Sequence, residues 1–97
     1  MVDYQLSNKA DADLTHLYED GVVRFGLEQA DRYLDGLIER FCLLAERPMI
    51  GKSAEEFAPM LRRFPYQRHV VFYLPRDDGI LIVRVLGDEM DFERHLQ

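Results

Sequence analysis

His95 follows Arg94 in the closing run Arg84-Val85-Leu86-Gly87-Asp88-Glu89-Met90-Asp91-Phe92-Glu93-Arg94-His95-Leu96. An imidazole beside guanidinium groups can move a proton at a phosphodiester while the cations stabilise the developing charge. Arg62, Arg84 and His95 are therefore the candidate catalytic set of a nuclease-type reading. Nothing in their spacing fixes their mutual geometry. The other histidines carry plainer readings: His16 is a solvated helix position, and His69, which opens a strand, has a capping or cross-strand role. Cys42 is the one cysteine, so it forms no internal disulfide and has no partner at metal-ligand spacing. It reads as small apolar filler on a helix in a reducing compartment. There is no glycine-rich phosphate loop, no Cys/His metal spacing and no serine nucleophile elbow, and neither cofactor nor metal is expected.

The arginines form a second constellation. The chain carries 18 acidic against 12 basic residues, a formal charge of -6, which opposes a phosphate-binding role because such binding runs on clustered Lys and Arg. The charge is uneven. Residues 1–46 hold Lys9, Arg24, Arg32 and Arg40 against ten acids, whereas Arg62, Arg63, Arg68, Arg76 and Arg84 face only Asp77 and Asp78 between them. These arginines suit either phosphate or the carboxylates of an acidic polypeptide, where bidentate pairing is favoured. Strand alternation sends Arg62 and Arg63 to opposite faces, one of them snorkelling over the sheet edge.

The elements that must position these side chains are legible in the periodicity. Val2 to Leu6 alternates as a short edge strand and ends at Ser7, a good helix N-cap. Ala10, Leu14, Leu17, Tyr18, Gly21 and Phe25 recur at spacings of three and four, so one helix face is apolar until Gly26 stops it. Ala30, Tyr33, Leu34, Leu37, Ile38, Phe41 and Leu44 repeat the pattern up to Pro48, and so short a connection makes the two helices antiparallel. Residues 48–59 are loop-like, with Ser53-Ala54-Glu55-Glu56 capping one helical turn. The period then falls to two. Met60 to Phe64, His69 to Leu74 and Ile80 to Leu86 read as three antiparallel strands joined at Pro65-Tyr66-Gln67 and Arg76-Asp77-Asp78-Gly79.

The order β-α-α-β-β-β describes one α+β domain over residues 1–97, a helical hairpin on one face of a three-stranded antiparallel sheet, with an N-terminal strand at its edge. Val70, Phe72 and Leu74 alternate against His69, Val71 and Tyr73; Leu81, Val83 and Val85 alternate against Ile80, Ile82, Arg84 and Leu86. The second face is too apolar for water, which calls for a partner lying on it. No basic-plus-apolar leader and no apolar run near the ~20 residues of a membrane helix is present, so a soluble, unexported chain is expected.

Read in order, several strings resemble the ParE branch of the RelE/ParE toxin superfamily. They are Tyr4-Gln5-Leu6-Ser7 with Ala10 and Asp13-Leu14; Phe25-Gly26 with Gln29-Ala30 and Tyr33; Leu44-Ala45 before Pro48 and Gly51-Lys52; Leu61-Arg62-Arg63; His69 before Val71-Phe72-Tyr73; and Ile82-Val83-Arg84-Val85-Leu86 with Met90-Asp91 and Arg94-His95-Leu96. The resemblance implies a cytoplasmic toxin of a type II toxin-antitoxin, or plasmid stabilisation, system, neutralised by a ParD-like antitoxin that wraps its sheet and hairpin. Members similar to ParE poison DNA gyrase by trapping it on cleaved DNA, and are not enzymes. The branch similar to RelE cleaves mRNA on the ribosome; an acidic chain with only Lys9 and Lys52 as lysines would pay a salt-dependent penalty against dense phosphate, which places the gyrase branch ahead. A scaffold or co-repressor that has lost toxicity is the third reading. Many ParE-like chains have histidine after the Arg-Val-Leu of the last strand, where this one has Gly87.

The resemblance also assigns surfaces. Arg84, Asp88, Met90, Asp91, Arg94, His95 and Leu96 are expected to engage the target, with Met90 and Leu96 as apolar contacts; Phe92, an aromatic in a polar tail, is read independently of the resemblance as folding back to plug the core. Arg62, Arg63, Arg68, Val71, Tyr73, Arg76 and Ile82 are expected to meet the antitoxin. Neither a membrane nor direct sequence-specific nucleic-acid binding by this chain is expected.

Overall fold

Ser7 does two things at once. In the computed structural model, which describes residues 3–96, it follows β1 (Asp3–Leu6) and caps α1 (Asn8–Phe25). Val2, the first residue of the expected edge strand, lies outside the described residues. The Ser7 hydroxyl accepts from the Ala10 amide at 3.0 Å and donates to the Val83 carbonyl at 2.7 Å, so the helix start is tied to the last strand along the chain. Gly26, with φ of 92°, turns the chain after α1, and α2 (Leu27–Glu46) begins at the next residue. The Tyr18 hydroxyl donates to Asp31 and Gly21 lies against Ala30, so contacts run in opposite senses along the two helices, as an antiparallel hairpin requires. Ala30, Leu37, Phe41, Leu44 and Ala45 are the buried stripe of α2. Gly36 stands within that helix for a steric reason: a Cβ there would collide with the Tyr66 hydroxyl.

The sheet has five strands in the order β1-β5-β4-β3-β2, where β2 is Lys52–Ser53, β3 is Arg62–Tyr66, β4 is His69–Arg76 and β5 is Gly79–Gly87. The three expected antiparallel strands form its centre. The N-terminal strand takes its expected place at one edge, and the expected sheet is corrected at the other, where β2 adds a fifth strand. β1 is hydrogen-bonded into the sheet and runs parallel to β5, from Asp3↔Gly79 to Leu6↔Ile82, while the two-residue β2 pairs Lys52 with Arg63 and Ser53 with Arg62. Met60 takes φ of 67° and stays outside β3. Ser53 ends β2 instead of capping a helical turn: its hydroxyl accepts from the Glu55 amide at 3.3 Å, and the Phe57 amide closes a turn onto the Ala54 carbonyl.

Strict alternation fails once, with consequences. On β5, Ile82 lies opposite Tyr73 and Arg84 opposite Phe72, so Val83 is an extra residue, a β-bulge. The parity of everything after it reverses. Val85, not Arg84 or Leu86, joins Ile80 and Ile82 under the hairpin, while Leu86 turns to the other face with Val83 and Phe72.

Two separate cores result. Beneath the hairpin, Ala10, Leu37, Phe41, Leu44, Val71, Tyr73, Ile82 and Val85 pack together. On the opposite face, Phe72 and Leu86 are covered by Ala54, Phe57, Ala58 and Leu61 and by Phe92 and Leu96 of the C-terminal segment, whose last turn is α3 (Phe92–His95). The apolar face that seemed to call for a partner is thus covered by the chain itself. Each fully buried Phe or Leu contributes about 1.5–3 kcal/mol by removal from water; among the described residues the clusters hold three such residues each, but the second has four buried residues in all against ten in the first.

Candidate functional site

The C-terminal segment leaves β5 in a tight turn. The Met90 amide donates to the Gly87 carbonyl at 3.0 Å, the Gly87 amide points at the Met90 sulfur at 3.1 Å, and the Asp88 amide returns to the Arg68 carbonyl at 2.8 Å. Phe92 then docks on the sheet. Its ring stands edge-on to Phe72, centroids 5.1 Å apart, and to Phe57 at 6.3 Å, with Phe57 and Phe72 themselves perpendicular at 6.0 Å. Leu96 packs against the same cluster, so of the two expected apolar target contacts only Met90 is exposed. Asp88, Glu89, Asp91, Glu93 and Arg94 all face solvent.

Arg84 is withdrawn from that surface. Its Nε donates to Asp13 Oδ2 and its Nη2 to Asp13 Oδ1, both at 2.8 Å, and its Nη1 donates to the His95 carbonyl at 2.8 Å. The hydrogen-bonded carboxylate of Asp13 raises the Arg84 pKa further above its ordinary value, against the opposing effect of burial. Arg84, expected to contact the target, has its nitrogens occupied within the chain.

On the far side of the sheet, Arg62 and Arg63 do take opposite faces. Arg62 Nη2 donates to the carbonyls of Met49 and Gly51 at 3.0 and 2.6 Å. The same loop is held by the Tyr73 hydroxyl, which donates to the Pro48 carbonyl at 2.7 Å and accepts from the Gly51 amide at 3.0 Å. Burial raises the Tyr73 pKa, with Gly51 and Arg62 pulling the other way. Arg62 Nε is buried and has no partner among the described residues. Arg63 pairs with Glu56 at 2.7 Å over the Phe57 ring. Arg68 and Arg76 are exposed.

Val71, Tyr73 and Ile82, expected to meet the antitoxin, are completely buried beneath the hairpin. They have no surface to offer a polypeptide in this fold, because alternation places them on the hairpin side of the sheet. The nuclease set is not assembled either. Arg62 and Arg84 engage different segments, the 48–51 loop and α1, and Arg84 meets His95 through its carbonyl and not its imidazole.

A cleft of about 300 Å³ escaped sequence reasoning. It lies between the hairpin and the β3–β4 turn, with Leu17, Gly21, Phe25, Tyr33, His69 and Glu89 in its wall. The Tyr33 hydroxyl sits 2.6 Å from His69 Nδ1 and 3.3 Å from the Tyr66 carbonyl, and the two rings are perpendicular with centroids 5.4 Å apart. Burial lowers the His69 pKa, opposed by Asp88, Asp13 and Asp20, and burial raises that of Tyr33. Beside the cleft, Val23, Phe25 and Leu27 are 85%, 60% and 60% exposed. Phe25 was expected on the buried stripe of α1. Tyr33 gave one signal, an aromatic at a core position with a hydroxyl that must find a partner; its meeting with His69 could not be read from residues 36 positions apart.

Comparison with known proteins gives this fold a family. Residues 4–92 match the model of the ParE toxin of the type II toxin-antitoxin system, parDE. The chain belongs to the ParE toxin family. It is 34% identical over 94 residues to Toxin ParE1 of Mycobacterium tuberculosis (strain ATCC 25618 / H37Rv), covering 96% of each chain. It is 35% identical over 96 residues to Toxin ParE1 of Caulobacter vibrioides, covering 99% of each. Among solved structures, that described as the chromosomal ParDE TA system from P. aeruginosa shares the fold, with a TM-score of 0.77 and 24% identity over 92% of this chain and 98% of that one. The α+β ParE architecture expected from the strings is therefore observed, with a larger sheet. Among the described residues no helix is long and apolar enough to cross a membrane, and no group of three or more His, Cys, Asp or Glu is placed to hold a metal ion.

Proposed function

We propose that this ParE-family chain is a cytoplasmic toxin that poisons DNA gyrase without itself being an enzyme, and that a ParD-like antitoxin neutralises it. The observation that carries the reading is the tail: residues 88–94 form an ordered, outward-facing strip with Met90 at its centre, held on the sheet by Phe92. The target contacts are Asp88, Met90, Asp91 and Arg94, with His95 and Leu96 at its inner margin. Engagement of Arg62 and Arg84 inside the fold favours this reading over ribosome-dependent mRNA cleavage. On the antitoxin side, Arg63, Arg68 and Arg76 retain exposed guanidinium surface for the carboxylates of an acidic segment. Membership of the parDE family and the likeness to a ParDE assembly support a partner of this kind.

The test is a DNA cleavage assay with purified gyrase, ATP and supercoiled plasmid. Linear, protein-linked plasmid that accumulates with the toxin and is suppressed by the antitoxin encoded beside it is the expected result. Deleting residues 88–97 abolishes that cleavage while antitoxin binding stays measurable. A folded toxin that leaves gyrase untouched but cuts mRNA in a translation extract would overturn the proposal.

A further inference from the structure

Asp13 is a half-hidden carboxylate on α1 with an unusual workload. It accepts three hydrogen bonds: Oδ1 from Arg84 Nη2, and Oδ2 from Arg84 Nε and from the Val85 amide at 2.9 Å. The two side chains are 12% and 14% exposed. An ion pair so far from water is weak evidence of stabilisation, since desolvation offsets much of the attraction. What the pair does fix is direction. A bidentate fork locks the guanidinium plane, and the remaining nitrogen, Nη1, then has one recipient, the carbonyl of His95 in the last turn of α3.

That turn has little stability of its own, because a four-residue helix lies far below the length at which helices persist in water. Beyond the Asp88 amide's bond to the Arg68 carbonyl where it leaves β5, the tail is secured at two kinds of point. Phe92 and Leu96 seat it by apolar packing, which is tolerant of rotation; the His95 carbonyl bond is directional, and sets how the turn rotates over the sheet. Val83, the bulge residue, is what brings Arg84 to this position. β1 ends at Leu6 beside Ile82, so beyond that point β5 is paired only with β4, and on its open side Asp13 takes the Val85 amide where a strand would.

We propose that Asp13 is a positioning residue for the C-terminal segment: acting through Arg84, it sets the orientation in which residues 88–96 meet the toxin's target. This rests on the reading that the tail is the target-contacting surface. Asp13 itself touches no target.

The experiment compares full-length wild type with Asp13→Asn and Arg84→Lys, by amide hydrogen exchange and by gyrase-dependent plasmid cleavage. Arg84→Lys keeps a cation beside Asp13 but cannot span both the carboxylate and the His95 carbonyl, so it preserves the fold if Asp13→Asn does not. Loss of charge-assisted hydrogen bonds predicts about tenfold faster exchange at the Leu96 amide, which donates to the Phe92 carbonyl. The α2 amides exchange as before, plasmid cleavage falls to a similar degree, and affinity for the antitoxin is unchanged. A general loss of protection across α2 would mark a merely structural pair and overturn the proposal. So would a folded variant whose tail exchanges like wild type, or one with a loosened tail and full cleavage. Wild-type toxin without effect on gyrase would overturn the proposed function itself, and the exchange data alone would then decide whether Asp13 orients the tail.

Discussion

The two faces of the sheet are buried by different means. On one, eighteen- and twenty-residue helices lay a continuous stripe over Val71, Tyr73 and Ile82; on the other, a loop and a four-residue helix close over Phe72 and Leu86. Long helices bring their own backbone hydrogen bonds and many apolar contacts per ordered residue. The loop and tail bring few of either, so their order depends on docking. A segment displayed from the second face can be released or reoriented without opening the first.

The largest effect that sharpens this contrast is on the hairpin side. Phe41→Ala removes a fully buried ring that also packs against Tyr4, and should lower unfolding free energy by about 3–5 kcal/mol in chemical denaturation. Phe92→Ala, at a half-buried ring, should cost only about 1–3 kcal/mol globally, while amides of residues 92–96 lose protection and those of α2 do not. Equal global losses in the two variants would break the contrast. Tyr73→Phe leaves the Pro48 carbonyl and Gly51 amide without their hydroxyl partner and should cost about 1–2 kcal/mol, with raised exchange confined to the 48–51 loop.

A smaller effect is set by pH. Burial lowers the His69 pKa below 6.5, so the folded state binds fewer protons than the unfolded state just below that value. The stability contributed by neutral His69 is present above pH 6.5 and is lost as pH falls through the unfolded and then the folded pKa. A His69→Gln variant should show a flatter stability curve below pH 6.5 than wild type. Smallest of all, Arg24→Ala breaks only an exposed pair with Asp20 and should change stability by less than about 0.5 kcal/mol.

Much of the hairpin face was legible because helix and strand periods are local. Ser7, Gly26 and Pro48 mark where elements begin and end through properties of single residues: a hydroxyl that caps, a backbone free to take positive φ, a ring that cannot continue a helix. The opposite faces of Arg62 and Arg63 followed from the pleat, as did the plugging role of Phe92 from its place in a polar tail. What misled was the assumption of unbroken alternation along β5. Val83 adds one residue, and no residue type there announces it. Val71, Tyr73 and Ile82 were correctly read as strand residues, yet assigning them to a partner required knowing which face the hairpin covers.

The sequence by itself determined the order of elements, the apolar stripes and the family resemblance, since each rests on neighbours within a few positions of one another. Only the tertiary structure decided that Asp13 closes on Arg84 across 71 positions, that Tyr33 meets His69 across 36, and that the loop and tail roof the second face. The Asp13–Arg84 pairing depends on a one-residue bulge and on where β1 stops. Such details shift side chains by one face or one strand while leaving the local pattern of hydrophobicity almost unchanged.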